Sequence, residues 1–232
     1  MSQSCEIVQP SDTWACVRLT SGEAWVKLCL DAELLQDITT LGVLASEVKH
    51  DLRKLDPHHG VMNGLEWHVG RGSRLEDPPV GYAYVAGTPL NIISQVEQLS
   101  ATVRRRQQDF LESCPAYKVA LADLPGGYFT DGVVASEISS RGLGNAGHFD
   151  EDKFLSGTIA AADPDPHFGN VFRQVQLPTY FIFTNDLKAI PLVPGCCIIW
   201  DGSTTRHCSS VQGVSVINHY LSVTKKWANR FG

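Results

Sequence analysis

The segment Gly147-His148-Phe149-Asp150 carries the pattern His-x-Asp. In a β-strand, residues two positions apart project from the same face, so the side chains of His148 and Asp150 can converge on one point while Phe149 faces the other way. This arrangement delivers an imidazole and a carboxylate to one metal ion with little chain between them. Because such triplets also occur by chance, their interpretation depends on what the rest of the chain supplies.

A second segment supplies a candidate third ligand. Residues 193–202 contain a Pro-Gly turn, an apolar run that ends at Trp200, and another turn; Arg206-His207-Cys208 follows at once. A histidine just after a turn from a buried strand can point back into the mouth of a β-barrel. Two histidines and one carboxylate form the facial triad that suits Fe(II) and leaves coordination positions open for other ligands. We therefore predict that His148, Asp150 and His207 are both the metal ligands and the catalytic residues.

The flanking sequence indicates helices followed by strands. Apolar residues recur at helical spacing over residues 31–55, with Asp31 as the expected N-cap, and again from about residue 91 to 113. Residues 56–90 are rich in Gly and Pro, which is typical of loops with short strands. Strand-like runs then begin at Tyr117, Phe181, Ala189, Cys196 and Val214.

These patterns predict a single α+β domain over residues 1–232. A helix-rich portion, about residues 1–115, is expected to support a β-rich catalytic core of about residues 116–226. Several short strands at this spacing favour a sandwich or a barrel for that core.

Composition limits the classes of partner. A formal net charge of −6 and a pI near 5.7 argue against a general polyanion-binding surface, although a local basic groove is allowed. No apolar run approaches the roughly 18 residues that span a bilayer, so no membrane partner is expected. The first residues have no basic and apolar leader, and the seven cysteines form no Cys-x-x-Cys pair. These features predict an intracellular protein, cytoplasmic or nuclear.

Three features together resemble the Fe(II)/2-oxoglutarate-dependent oxygenase superfamily: His148-x-Asp150, the strand after Pro194-Gly195, and the distal His207. The resemblance covers roughly residues 117–226. It implies a double-stranded β-helix, or jelly-roll, core with supporting helices. It also implies an enzyme, a dioxygenase in which Fe(II) binds 2-oxoglutarate through two atoms and dioxygen is used to oxidise a substrate C–H bond.

The sequence departs from the family pattern on the strand after the distal histidine. The family usually places an Arg or Lys there to pair with the far carboxylate of 2-oxoglutarate, whereas residues 216–222 read Val-Ile-Asn-His-Tyr-Leu-Ser. His219 lies about where that anchor is expected, and Lys225 and Lys226 are nearby cations. Another small keto acid or enediol, such as ascorbate, is the alternative cosubstrate. The predicted cofactor-binding residues are His219, Asn218, Arg206, Tyr128 and Asn145.

Within the superfamily, the chain is similar to the TET/JBP group of nucleobase oxygenases in its His-x-Asp…His layout, its glycine-bearing lead-in at residues 141–147 and its appended helices. This similarity implies a 5-methylpyrimidine in nucleic acid as the substrate, flipped into the pocket. The basic run at residues 104–106, with Arg71 and Arg74, would line the groove; a solvated helical face is the other interpretation of that run. A cupin-like binding module without catalysis is the alternative from another class.

Overall fold

The computed structural model describes residues 4–51, 61–69, 84–122, 136–150, 153–168, 177–210 and 213–224. Helices α1, α2 and α3 comprise Ala32–Val48, Leu90–Glu112 and Pro115–Ala122. Strands β1 to β11 comprise, in order, Glu6–Ile7, Ala15–Leu19, Gly22–Leu28, Val61–His68, Ser136–Asn145, Lys153–Ala162, Tyr180–Phe183, Lys188–Pro191, Cys196–Trp200, His207–Ser209 and Val216–Thr224.

The strands form two sheets. A seven-stranded sheet has the order β2-β3-β9-β6-β11-β5-β4, and a four-stranded sheet has the order β1-β8-β7-β10. One apolar cluster contains Ile198 and Trp200 of the large sheet together with Phe181 and Phe183 of the small sheet. The two sheets therefore pack face to face, as in a jelly roll, and the predicted α+β class is confirmed.

Strand β11 lies in the middle of the large sheet and separates two environments. It pairs antiparallel with β5 on one side and with β6 on the other. Alternate side chains point to opposite faces, so Val216 and Tyr220 contact the core between the sheets, whereas Ile217 and Leu221 contact the helices. The face toward the small sheet is called the inner face below.

The helices cover the other face of the large sheet, and two glycines allow helix and sheet to approach closely. Helix α1 begins where the side chain of Asp31 accepts a hydrogen bond from the Leu34 amide at 3.0 Å, so the expected N-cap is confirmed. A Cβ at Gly42 of α1 would meet the side chain of Ile217, and a Cβ at Gly157 of β6 would meet Leu111 of α2. Helix and sheet thus approach more closely than larger residues would permit.

Two local expectations were wrong. The run at Tyr117 is not a strand but helix α3, because Pro115 occupies the first helical position and the alanines and leucine that follow favour a helix. Helix α1 ends at Val48 rather than near residue 55, since Lys49 already pairs with Tyr84 as an isolated β-bridge.

The N-terminal part of the chain contributes strands as well as helices. Strands β2, β3 and β4 belong to the same sheet as β5, β6, β9 and β11, and β1 joins the small sheet. The division of the chain near residue 115 and the single-domain assignment stay predictions. Among the described residues, no helix combines the length and apolarity needed to cross a membrane.

We expect Gly157→Ala to destabilise the fold by about 1–3 kcal/mol, the usual cost of overpacking a core. The added methyl would lie 2.7 and 2.8 Å from the two terminal carbons of Leu111. Leu111→Ala alone removes buried apolar volume and should cost about 2–5 kcal/mol. Urea denaturation of the two single variants and the double variant measures the free energy of unfolding of each. The double variant should lose less of this free energy than the two single variants lose together, and strictly additive losses would contradict the contact.

Candidate metal centre

Main-chain hydrogen bonds bring the three predicted ligands together. His148 follows β5, His207 begins β10, and the two form an antiparallel bridge with both N–H···O bonds at 3.0 Å. The Asp150 amide donates to the carbonyl of Gly202 at 2.7 Å. Segments far apart in the chain are therefore joined at the point where the side chains meet.

The ligand atoms are close enough to share one ion. The Nε2 atom of His148 is 3.4 Å from Oδ1 of Asp150, and the Nε2 atom of His207 is 3.4 Å from Oδ2 of the same carboxylate. All three ligand atoms lie within 4.8 Å of one another. Two imidazole nitrogens and one carboxylate oxygen on one side of an ion are the donor set of a non-haem Fe(II) site.

The imidazole rings are held in the orientation that a metal requires. Nδ1 of His148 bonds the Ala146 carbonyl at 2.8 Å, and Nδ1 of His207 bonds the Thr205 carbonyl at 2.9 Å. A carbonyl only accepts hydrogen bonds, so each Nδ1 carries a proton, and each Nε2 is the ring nitrogen directed toward Asp150. The residues fit a bound metal ion without rearrangement.

Tyr220 orients the carboxylate and was missed in the sequence. Its hydroxyl donates to Oδ2 of Asp150 at 3.1 Å and lies 2.6 Å from Oγ of Ser156. Burial first, and then the charge of Asp150, raise the pKa of Tyr220 well above its usual value, so the phenol keeps its proton and remains a donor. Its position on the inner face of β11 was the available signal, but the sequence does not show which face is inner.

The environment of the two histidines differs. The side chain of His207 is 4% exposed, stacks on Phe181 at 5.3 Å between ring centroids, and meets the edge of Trp200 at 5.2 Å. The side chain of His148 is 35% exposed. The centre is therefore closed by aromatic rings on the His207 side and open to solvent on the His148 side, which is where a substrate can approach.

Gly202 leaves the space that the carboxylate occupies. A Cβ at this position would collide with the carboxylate group of Asp150. The turn after β9 therefore needs a glycine for a reason specific to this site, namely close approach of its backbone to a ligand.

Two of the predicted cofactor-binding residues support the segments that carry the ligands. Oδ1 of Asn145 accepts from the Ser209 amide at 2.6 Å and so ties β5 to β10. The exposed side chain of Arg206 donates to the Gly147 carbonyl at 3.2 Å. Both residues stabilise the backbone beside the triad.

Asn218 projects from the inner face of β11. It lies between Val216 and Tyr220, which contact the inter-sheet core, and it is 8% exposed. Its Oδ1 has no hydrogen-bond partner among the described residues, and the same holds for the buried Nε1 of Trp200. Buried polar groups usually have a hydrogen-bond partner, so these two atoms are exceptions within the described part of the chain.

His219 does not reach the candidate metal centre, which corrects its expected role as a cosubstrate anchor. Its side chain is fully buried on the helix-facing side of β11, where it bonds Gln107 and Glu137. The prediction placed the residue on the correct strand but on the wrong face, because neighbouring residues of a strand point in opposite directions.

The basic run of α2 is mostly committed to ion pairs. Arg104 pairs with Glu137 at 2.9 Å, and Arg106 pairs with Asp31 at 2.7 Å, while Arg105 is exposed. Arg104 and Arg106 are therefore neither part of a simply solvated helical face nor free to line a phosphate-binding groove. The remaining predicted participants lie outside the described residues: Tyr128, Lys225, Lys226, Arg71 and Arg74.

No family model matches the sequence, and no curated protein matches it. Among solved structures, the chain resembles NgTET1 in complex with 5mC DNA, with a TM-score of 0.57, 13% identity, and coverage of 95% of this chain and 83% of that one. It also resembles a prolyl hydroxylase from Trichoplax adhaerens in complex with a hypoxia inducible factor oxygen degradation domain peptide fragment, with a TM-score of 0.51, 7% identity, and coverage of 89% and 86%. Both have the double-stranded β-helix fold of Fe(II)/2-oxoglutarate oxygenases. The predicted likeness to that superfamily is therefore confirmed in architecture.

We expect His207→Ala and Asp150→Ala each to weaken Fe(II) binding by more than about 100-fold, because loss of a ligand exceeds the roughly 10–100-fold cost of losing an outer partner. Anaerobic titration with Fe(II) in competition with a chelator measures the affinity, and circular dichroism checks that each variant is folded. His167→Ala is the matched control, since His167 is exposed and outside the triad. Unchanged affinity in either ligand variant would contradict the assignment.

Proposed function

We propose that the protein is a non-haem Fe(II)-dependent dioxygenase that uses 2-oxoglutarate and O2 to oxidise a C–H bond of its substrate. The observation that carries this proposal is the convergence of His148, Asp150 and His207, with each Nδ1 bound to a backbone carbonyl and each Nε2 directed toward the Asp150 carboxylate.

Bound Fe(II) and its cosubstrate would activate O2, the oxidant, which amino-acid side chains alone cannot do. The chain's own groups prepare the place for it. His148, Asp150 and His207 hold the metal, and Tyr220 holds the Asp150 carboxylate through the bond to Oδ2. Phe181 and Trp200 exclude water from the His207 side. The exposed side of His148 admits the substrate.

The inner face of β11 is the proposed cosubstrate site. Its described side chains, Val216, Asn218, Tyr220 and Ser222, include no cation. The amide oxygen of Asn218 accepts hydrogen bonds and the indole N–H of Trp200 donates; both are buried, and within the described part of the chain neither has a partner. Asn218 is our candidate for contact with the far end of the cosubstrate: its amide N–H would donate to a carboxylate, whereas its amide oxygen would accept from a hydroxyl such as those of ascorbate. The indole N–H of Trp200 supplies a second donor for a carboxylate. Amide groups accommodate 2-oxoglutarate as well as ascorbate or another small keto acid.

A 5-methylpyrimidine substrate stays a prediction. The likeness to NgTET1 at 13% identity concerns the fold. The internal ion pairs of Arg104 and Arg106 remove two of the cations expected in a nucleic-acid groove. The substrate class and the intracellular location await direct assay.

Cosubstrate binding can be tested without knowing the substrate. A 2-oxo acid that chelates Fe(II) through its carboxylate and keto oxygens produces a visible charge-transfer absorption. We expect this band when 2-oxoglutarate is added anaerobically to the Fe(II)-loaded protein, and succinate once air is admitted. Fe(II) bound tightly with neither band nor succinate would contradict the proposal and favour ascorbate or a cupin-like binding module. A 5-methylcytosine duplex, added in parallel, tests the nucleobase prediction by its oxidation.

Asn218→Leu should raise the 2-oxoglutarate concentration that half-saturates this band by about 5–20-fold, the equivalent of one lost hydrogen bond plus desolvation of its partner. The affinity for Fe(II) should stay unchanged, because Asn218 is not among the clustered ligands. Arg105→Ala, on the exposed side of α2, is the control. Equal half-saturation in Asn218→Leu and the wild type would remove Asn218 from the cosubstrate site.

A further inference from the structure

A buried polar network lies on the opposite face of β11 from the metal centre. His219 of β11 and Glu137 of β5 are both 0% exposed, and Nε2 of His219 is 3.1 Å from Oε1 of Glu137. Glu137 also accepts from Oγ of Ser100 at 2.6 Å and from Arg104 at 2.9 Å, both on α2. The proposed metal chemistry makes no use of these groups.

The hydrogen bonds fix how the side chains of Gln107, His219 and Glu137 are oriented toward one another. Nε2 of Gln107 donates to the carbonyls of Gly157 at 3.3 Å and His219 at 3.0 Å, so the amide is oriented with its oxygen toward Nδ1 of His219, 2.8 Å away. Both ring nitrogens of His219 therefore face oxygen atoms, Oε1 of Gln107 and Oε1 of Glu137. Burial tends to raise the pKa of Glu137, but the bond and charge of His219, with Arg104, lower it overall, so the carboxylate is ionised.

Packing alone does not require such a pair. A buried ion pair is often no more stabilising than apolar residues of the same volume. β11 is already held by β5 and β6 through full antiparallel ladders. The surrounding helix-facing positions, such as Ile217 and Leu221, are apolar.

The network acts on the residue that precedes Tyr220. Gln107 binds both the carbonyl and the ring of His219, so the backbone of β11 is clamped to α2 at this residue. The next side chain, Tyr220, crosses to the inner face and donates to Asp150. Because Tyr220 is the next residue along the strand, a displacement of the His219 main chain would move the Cα from which the phenol reaches Asp150.

We propose that His219 is a positioning residue. Its bonds to Glu137 and Gln107 fix the position of β11 relative to α2, and thereby the point at which the Tyr220 hydroxyl meets the Asp150 carboxylate. This inference rests on the proposed metal site. Through His219 and Tyr220, it gives α2 an indirect influence on metal affinity.

A double-mutant cycle on Fe(II) affinity tests the inference. We expect His219→Gln and Tyr220→Phe each to weaken binding about tenfold, as is usual when a partner of a metal ligand is lost. The double variant should be no weaker than Tyr220→Phe alone, because His219 acts through the phenol. Wild-type affinity in His219→Gln, or losses that multiply to about a hundredfold in the double variant, would overturn the proposal.

Two further variants separate positioning from general damage. Leu221→Ala leaves a cavity on the same face of β11 without touching the pair, so it should lower the unfolding midpoint and leave Fe(II) affinity unchanged. If His219→Gln does not fold, Glu137→Gln, which keeps the shape and removes the charge, enters the same cycle with the same expected outcomes. Failure of the wild type to bind Fe(II) would reject the proposed function itself, whereas additive losses in a metal-binding protein reject this inference alone.

Discussion

The site depends on one pair of main-chain hydrogen bonds. His148 and His207 exchange N–H···O bonds at 3.0 Å in both directions, and this bridge joins the segment after β5 to the small sheet. Without it, the two imidazoles would belong to separate parts of the chain. With it, each ring needs only its own Nδ1 bond to a nearby carbonyl to present Nε2 to a common point. The geometry of the site is thus determined by backbone, which is more rigid than a side-chain network.

Strand β11 connects this site to the rest of the molecule because its two faces carry different chemistry. Tyr220 and Asn218 project between the sheets: Tyr220 bonds Asp150, and the amide oxygen of Asn218 has no hydrogen-bond partner in the segments that the structure describes. His219 projects between them toward the helices and completes a fully buried pair with Glu137. A single strand therefore bonds the proposed metal ligand Asp150, carries the proposed cosubstrate contact Asn218, and connects the sheet to α2.

The motifs that carry the three predicted ligands could be recognised in the sequence. Which side chains of each strand point between the sheets could not. The His-x-Asp segment, the Pro-Gly strand and His207 each have a short-range signal, and apolar periodicity indicated α1 and α2. Both faces of β11 are covered, so residues 216–222 show no alternation that reveals which side chains point inward. His219 was consequently placed on the wrong face and Tyr220 was missed. The internal pairing of Arg104 likewise depends on a distant partner, Glu137, that local propensity does not describe. The helix at residues 115–122 did have a local signal, Pro115 at its first position, which the apolar run from Tyr117 obscured.

The central claim is that one ferrous ion binds where these three side chains meet. Anomalous diffraction at the iron absorption edge, from crystals grown anaerobically with Fe(II), locates that ion directly. The account predicts one strong peak in contact with Nε2 of His148, Nε2 of His207 and the carboxylate of Asp150. A peak elsewhere in the molecule, or the three side chains directed apart in the presence of Fe(II), would contradict it.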